Sequence, residues 1–418
     1  MPGIEQVRKE CPTRKRWPRS LPLIATLALV LLAGCGGGSD EPPQPPAEPV
    51  AWFKTFALGE GRSVVETPTG VLAGYLVVGT VNDAALATKG SDAYVLSTDT
   101  KGALLGAKAI GGTGNDTGRV VRRTQDGGYV MLGEFMMGSN RQLWAVKMDA
   151  RGNDEWSRFY GYSTRQEFAA DIVEIPGVGY LLAGTTAETD LLGINPSQDV
   201  FLVRTILNGD VLWADRKGYD DSFEIAAAAV QVTSDGGAVF VGSTTQFDAN
   251  GDIWLVKVAG NGQTLWHRHF GTADRDVAAS VRVTADGGFI IAGTTGREQD
   301  RQIYLLKTDA QGIQQWSRTL GGAGSETCAA MELTRDGGFI LAGSTTSRGA
   351  GGADGYLVKT DAQGNVLWEN TFGSTGDDHF YAVQATSDGG YVMTGSTARE
   401  GATYVYLVKT DANGSSLP

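Results

Sequence analysis

The sequence predicts an all-β chain, a seven-bladed β-propeller of four-stranded antiparallel blades, and three observations lead there. One pattern is rewritten at a period of about 50 residues: a small-residue strand, an Asp-Gly-Gly turn, a hydrophobic strand, a Thr-Asp-x-x-Gly turn and a Trp. The runs between these turns, such as GFIIAGTT and IYLLKTD, are short, rich in β-branched and aromatic residues and free of a helical period. The last copy stops after Gly414, where its fourth strand should begin, while the globular region opens on a strand with no blade before it. Four short strands per repeat suit a propeller, in which each unit buries its faces against its neighbours.

The elements follow in order. Residues 51–56 contain Trp52 to Phe56, WFKTF, which reads like the Trp368 to Phe372 strand, WENTF. They are assigned to blade seven, so that one N-terminal strand joins three C-terminal ones and closes the ring. Closure of this kind removes free sheet edges. Paired glycines then mark the turn between the first two strands of successive units, at Gly127/Gly128, Gly236/Gly237, Gly287/Gly288, Gly337/Gly338 and Gly389/Gly390, with worn copies at Gly74 and Gly177/Gly179. Gly supplies the left-handed backbone and Asp bonds its own main chain, so hairpin chemistry accounts for the motif. Trp156, Trp213, Trp266, Trp316 and Trp368 follow the second turn, with Gly106 in that place in the first unit. Recurrence at one structural position reads as packing between blades.

Residues 1–34 are of another kind. Arg8, Lys9, Arg14, Lys15, Arg16 and Arg19 precede an apolar stretch from Leu21 to Leu32, and Leu32, Ala33, Gly34 and Cys35 follow. The stretch is short for a bilayer-spanning helix, which needs about 20 residues. This segment resembles the bacterial lipoprotein signal, whose Leu-Ala-Gly-Cys box it matches. The resemblance implies cleavage before Cys35, acylation of Cys35 and insertion in a lipid bilayer. Gly36 in place of Asp favours, by the same resemblance, the outer membrane. Residues 35–50 then form a Gly/Pro-rich tether with no apolar content to fold around, and residues 51–418 the propeller, expected to be monomeric.

Composition excludes several classes. Cys11 leaves with the signal and Cys35 carries lipid, so Cys328 alone remains and the fold stands without a disulfide. Loss of the signal leaves 29 basic and 45 acidic residues, a formal charge of −16, which argues against a nucleic-acid ligand.

Two sets of residues are candidates for function. One carboxylate per unit stands shortly after the end of strand four: Glu60, Asp116, Glu167, Glu224, Asp276, Glu326 and Asp378. Each either caps backbone amides in the Gly-rich crossing to the next unit or joins a ring able to hold a cation, calcium being the ion considered. No turn shows the alternating oxygen series of an EF-hand loop; residues 247–252, FDANGD, come nearest. The second set is Leu191, Leu192 and Ile194, apolar residues in a long loop between second and third strands. Loops that vary over a rigid frame are the usual place of binding, so they are candidate partner contacts.

The units resemble the Asp-Gly-Gly-Tyr propeller repeats of secreted bacterial and archaeal proteins over residues 51–418. YLVKTDAQGNVLW is also similar to the tryptophan-docking segment of pyrroloquinoline-quinone propellers and of the propeller lipoprotein in the outer-membrane assembly machine. The departures are a turn one residue shorter, seven units rather than eight, and no vicinal cysteine pair, so no quinone cofactor is expected. The expected function is a membrane-anchored, non-catalytic scaffold that binds a protein or envelope component through its variable-loop face. The alternatives are a cation- or carbohydrate-binding propeller, or a hydrolase or lyase using His267, His269 or His379 with the carboxylates.

Overall fold

The computed structural model describes residues 51–67, 73–82, 86, 90–188, 198–218, 225–246 and 250–416. The leader, Cys35 and the tether lie outside the described residues, as do Leu191, Leu192, Ile194 and Glu224. The strands are β1 (Trp52–Thr67), β2 (Gly74–Val81), β3 (Asp92–Asp99) and β4 (Leu104–Ile110), then β5 (Thr117–Arg123), β6 (Tyr129–Met137), β7 (Asn140–Met148) and β8 (Asp154–Tyr160). Next come β9 (Arg165–Ile175), β10 (Gly179–Glu188), β11 (Gln198–Thr205) and β12 (Val211–Lys217), and β13 (Ile225–Val232), β14 (Ala238–Thr244), β15 (Asp252–Val258) and β16 (Thr264–Phe270). The last are β17 (Asp276–Val283), β18 (Phe289–Arg297), β19 (Asp300–Thr308) and β20 (Gln314–Leu320), β21 (Glu326–Leu333), β22 (Phe339–Thr345), β23 (Asp354–Thr360) and β24 (Val366–Phe372), and β25 (Asp378–Ala385), β26 (Tyr391–Arg399) and β27 (Ala402–Thr410).

Every regular element among the described residues is a strand. Five sheets hold four consecutive antiparallel strands, and a sixth holds seven in the order β25-β26-β27-β1-β2-β3-β4. The architecture is all-β and consistent with a β-propeller. The longer sheet arises because β1 serves two ladders. Its first part pairs with β27, from Trp52 opposite Lys409 to Leu58 opposite Tyr404, and its second with β2, from Gly59 opposite Val81 to Thr67 opposite Gly74. Each first strand of a unit touches the first strand of the next, from β1 and β5 through to β21 and β25, and β25 touches β1.

The middle strands carry the core. In β22 every residue from Phe339 to Thr345 is buried, and in β23 every residue from Asp354 to Thr360. Such strands lie between neighbouring sheets and are apolar on both faces, which is why they read as continuous hydrophobic runs. The clusters form between neighbouring units: Leu132, Tyr160, Leu182 and Phe201 pack together across one such interface, and Trp52, Tyr75, Val392 and Leu407 pack together between the two halves of the seven-stranded sheet. Burying a side chain of this size contributes roughly 1.5–3 kcal/mol, so the interfaces between sheets hold the fold far more than the alanine-rich first strands do.

Tryptophan closes the seams at one edge, except after the first unit, where Gly106 takes its place. The Trp213 indole Nε1 donates to the Gly260 carbonyl at 3.1 Å, and the ring lies where a Cβ on Gly262 would come within 3.1 Å of it. Gly262 also has a φ of +87°, so two constraints require glycine there. Trp52, at the start of β1, is placed identically: its Nε1 donates to the Thr100 carbonyl at 3.0 Å and its ring lies over Gly102.

Candidate functional site

Five of the seven carboxylates singled out by their spacing cap backbone amides. Asp116 Oδ2 accepts from the Gly112 amide at 2.6 Å and Oδ1 from that of Met136 at 2.7 Å. Glu167 Oε1 accepts from Tyr162 N at 3.1 Å and Thr186 Oγ1 at 3.3 Å. Glu326 Oε2 accepts from Gly322 N at 2.9 Å, and its other oxygen from Thr345 Oγ1 at 2.7 Å and from Ser347. Asp276 and Asp378 take the Thr272 and Ser374 amides, each at 2.7 Å, through one oxygen. The other oxygen, Oδ1 in both, is buried without a hydrogen-bond partner among the described residues. All five side chains are buried. Burial raises the Asp116 carboxyl above its usual range, and it lifts Glu167 to about 8.

Glu60 stands apart. Asp276, Glu326, Asp378 and Glu167 pair with Thr295, Thr345, Thr397 and Thr186, two residues past the glycine of the second strand, whereas Glu60 pairs with Thr80, one residue past Gly79. A one-residue slip moves a strand side chain to the opposite face. Glu60 is therefore half-buried and paired with Arg62, and Gly59 holds the place of the cap. Among the described residues no three His, Cys, Asp or Glu side chains are grouped closely enough to hold a metal ion. His267 and His269 lie on β16, and His379 stacks on Tyr381 at 6.2 Å.

At the Asp-Gly-Gly turns the aspartate does more than bond its own backbone. Asp235 Oδ1 takes the Gly237 amide at 3.0 Å and Thr233 Oγ1 at 2.6 Å, and Oδ2 pairs with Lys257 Nζ at 2.8 Å. Lys257 is buried and also donates to the Val258 carbonyl. Lys147, Lys307, Lys359 and Lys409 pair with Asp126, Asp286, Asp336 and Asp388 in the same way. Lysine pairing first, then the threonine hydroxyl, holds Asp235, Asp286 and Asp336 at about 2. The lysine recurs at a fixed place in the third strand, a signal that the sequence reading did not use.

The feature missed entirely lies where the first strands meet. Each carries a β-bulge, one residue left without a ladder partner: Arg62, Arg119, Ala170, Ala228, Ala279, Ala329 and Tyr381. A bulge re-aims its side chain, and all of these residues line one cavity of about 630 Å³ between the first strands. The lining is lopsided. Tyr381, Arg62 and Arg119 come from successive units, while alanine stands at the same level on every other strand. The Arg62 guanidinium lies 4.3 Å over the Tyr381 ring. Deeper charges are matched: Arg122 pairs with Asp171 at 2.8 Å and Arg282 with Glu332 at 2.8 Å. Arg119 has neither hydrogen bond nor ion pair among the described residues. Its side chain is exposed to the cavity, where crowding by the cavity walls, then the like charge of Arg62, lowers its pKa, yet a guanidinium stays charged at physiological pH. Cys328 lines the same cavity, and burial pushes its thiol up to about 12, out of nucleophilic range. The run GRVVRR from Gly118 to Arg123, against alanines in other units, was the available sequence signal.

No protein-family model and no curated protein sequence matches the chain. Solved structures match in fold. A chain of the COPII outer coat vertex on membranes matches with TM-score 0.52 and 9% identity, over 86% of this chain and 85% of that one. An ulvan lyase of polysaccharide lyase family PL25 matches with TM-score 0.51 and 9% identity, over 86% and 97%. A protein of unknown function from Dyadobacter fermentans matches with TM-score 0.50 and 12% identity, over 70% and 93%. At these identities the likeness concerns the fold alone, and it is consistent with a propeller.

Proposed function

We propose that the chain is a seven-bladed propeller closed by its own N-terminal strand, anchored at the outer membrane by lipid on Cys35, and that it is a non-catalytic scaffold binding a protein or envelope component. The blade count rests on β1, whose two halves supply the fourth strand of one unit and the first of the next. The binding role rests on one observation. Connections between second and third strands range from the pair Glu298-Gln299 to residues 82–91, while the turns at the other end of each unit barely vary. A face that differs from unit to unit over a uniform frame is where recognition belongs, and Leu191, Leu192 and Ile194 stand in sequence between β10 and β11. The test places a photocrosslinking residue at Ala350 on the variable face or at Gln363 on the regular one, in the tethered chain in envelope membranes. Adducts from position 350, lost in Cys35→Ala, are expected; equal adducts from 363 overturn the assignment of the face.

A second reading, cation binding, is favoured by the unpartnered buried oxygens of Asp276 and Asp378. A second aspartate lies close to each, for a Cβ on Gly271 would meet Asp252 and Asp276, and one on Gly373 would meet Asp354 and Asp378. Backbone carbonyls and water would complete a calcium shell at such a pair. Calcium is then expected to raise the melting temperature and a chelator to reverse it; no response to either ends this reading.

A further inference from the structure

We infer that the cavity between the first strands is a binding site for a small organic anion, its acid group held by Arg119 and Arg62 and its body against the alanine wall. Three independent observations meet there. In a chain with a net charge of −12, the bulge level of this cavity carries a surplus positive charge, because Arg62 is paired with Glu60 while Arg119 has no counter-ion among the described residues. Arg119 is exposed to the cavity, so its guanidinium is open to a ligand, and an anion there would offset the like charge of Arg62 beside it. The geometry is also built for a ligand: bulges on neighbouring strands turn Arg62 and Arg119 to one side, and Tyr381 holds Arg62 by stacking at 4.3 Å. A planar guanidinium pair matches a carboxylate or sulfate through charge-assisted hydrogen bonds. Across the cavity, Ala170, Ala228, Ala279 and Ala329 present methyl groups where larger side chains would fill the space. A volume of about 630 Å³ falls in the range of small-molecule sites.

The site does not depend on the proposed partner-binding face, and its test is separate. The full chain in detergent is titrated with benzoate, with benzamide as its neutral counterpart and with sulfate as an anion lacking an apolar body. Benzoate is expected to bind and to raise the melting temperature, benzamide to do neither, and sulfate to compete with benzoate but more weakly. Arg119→Gln should weaken benzoate roughly tenfold or more, the loss of one charge-assisted contact. Without anion its melting temperature should stay the same or rise, since a like charge is relieved. Arg119→Lys, which keeps the charge without the fork, should fall between the two, and Arg151→Gln on an exposed turn should leave binding unchanged. The inference fails if benzoate does not bind at millimolar concentration, if benzamide binds as well, or if Arg119→Gln leaves the benzoate affinity unaltered. Sulfate binding at least as tightly as benzoate would remove the role given to the alanine wall.

Discussion

One end of every sheet is nearly uniform and the other is not. At the uniform end, turns 124–128, 233–237, 284–288, 334–338 and 386–390 each hold an aspartate clamped to a buried lysine, and tryptophans dock on the facing glycines. At the other end the loops differ in length, and the repeated acids are buried caps that carry no lysine. The seam explains the difference. A Trp ring over a left-handed Gly tolerates no change of turn length, whereas a cap needs only a carboxylate near two amides and leaves the loop above it free to vary.

The comparison breaks first at the seam. Trp52→Ala removes an aromatic packed against Tyr75 at 5.7 Å and seated over Gly102, and is expected to cost about 3–5 kcal/mol in urea denaturation. A cost below about 1 kcal/mol would mean that the seam does not hold the uniform end. Deleting residues 51–56 should go further and open β27 to proteolysis.

The two ends should also answer pH with opposite sign. Asp235, Asp286 and Asp336 sit below their unfolded values, so their contribution is present above about pH 4 and is lost as pH falls towards about 2. Glu167 sits above its unfolded value, so its contribution is present below about pH 4.5 and is lost as pH rises through about 8. The slope in that window is at most roughly 1.4 kcal/mol per pH unit. Denaturation between pH 5 and 8 should flatten in Glu167→Gln, while Asp336→Asn should soften only the acid limb. An unchanged slope in Glu167→Gln would unseat the buried-cap account.

Smaller effects sharpen the contrast. Asp378→Ala leaves the Ser374 amide uncapped and should cost about 1–3 kcal/mol. Glu60→Gln, on the half-buried side of β1 and paired only with its neighbour Arg62, should stay within about 0.5 kcal/mol by thermal melting. Equal losses for the two would mean that the register difference has no energetic meaning.

Much of the fold was legible because its signals are local. Gly287/Gly288 and Gly337/Gly338 announce turns through backbone chemistry, and Trp266 and Trp316 announce a seam by recurring at one distance from them. The site was less legible, since its signals depend on register. Counting residues put Glu60 with Asp116 and Asp276, but the ladder puts Gly59 there. Leu191, Leu192, Ile194, Glu224 and Cys35 fall outside the described residues, and their roles stay with the proposed function.

By itself, then, the sequence determined the strands, the turns and the place of each tryptophan, because these follow from neighbours a few residues apart. Only the tertiary structure decided what faces the cavity. A bulge in each first strand breaks the two-residue alternation from which a reader of sequence infers inside and outside. Past that break, Arg62 and Arg119 turn inward from different units to share one cavity with Tyr381, which lies more than three hundred residues beyond Arg62 along the chain.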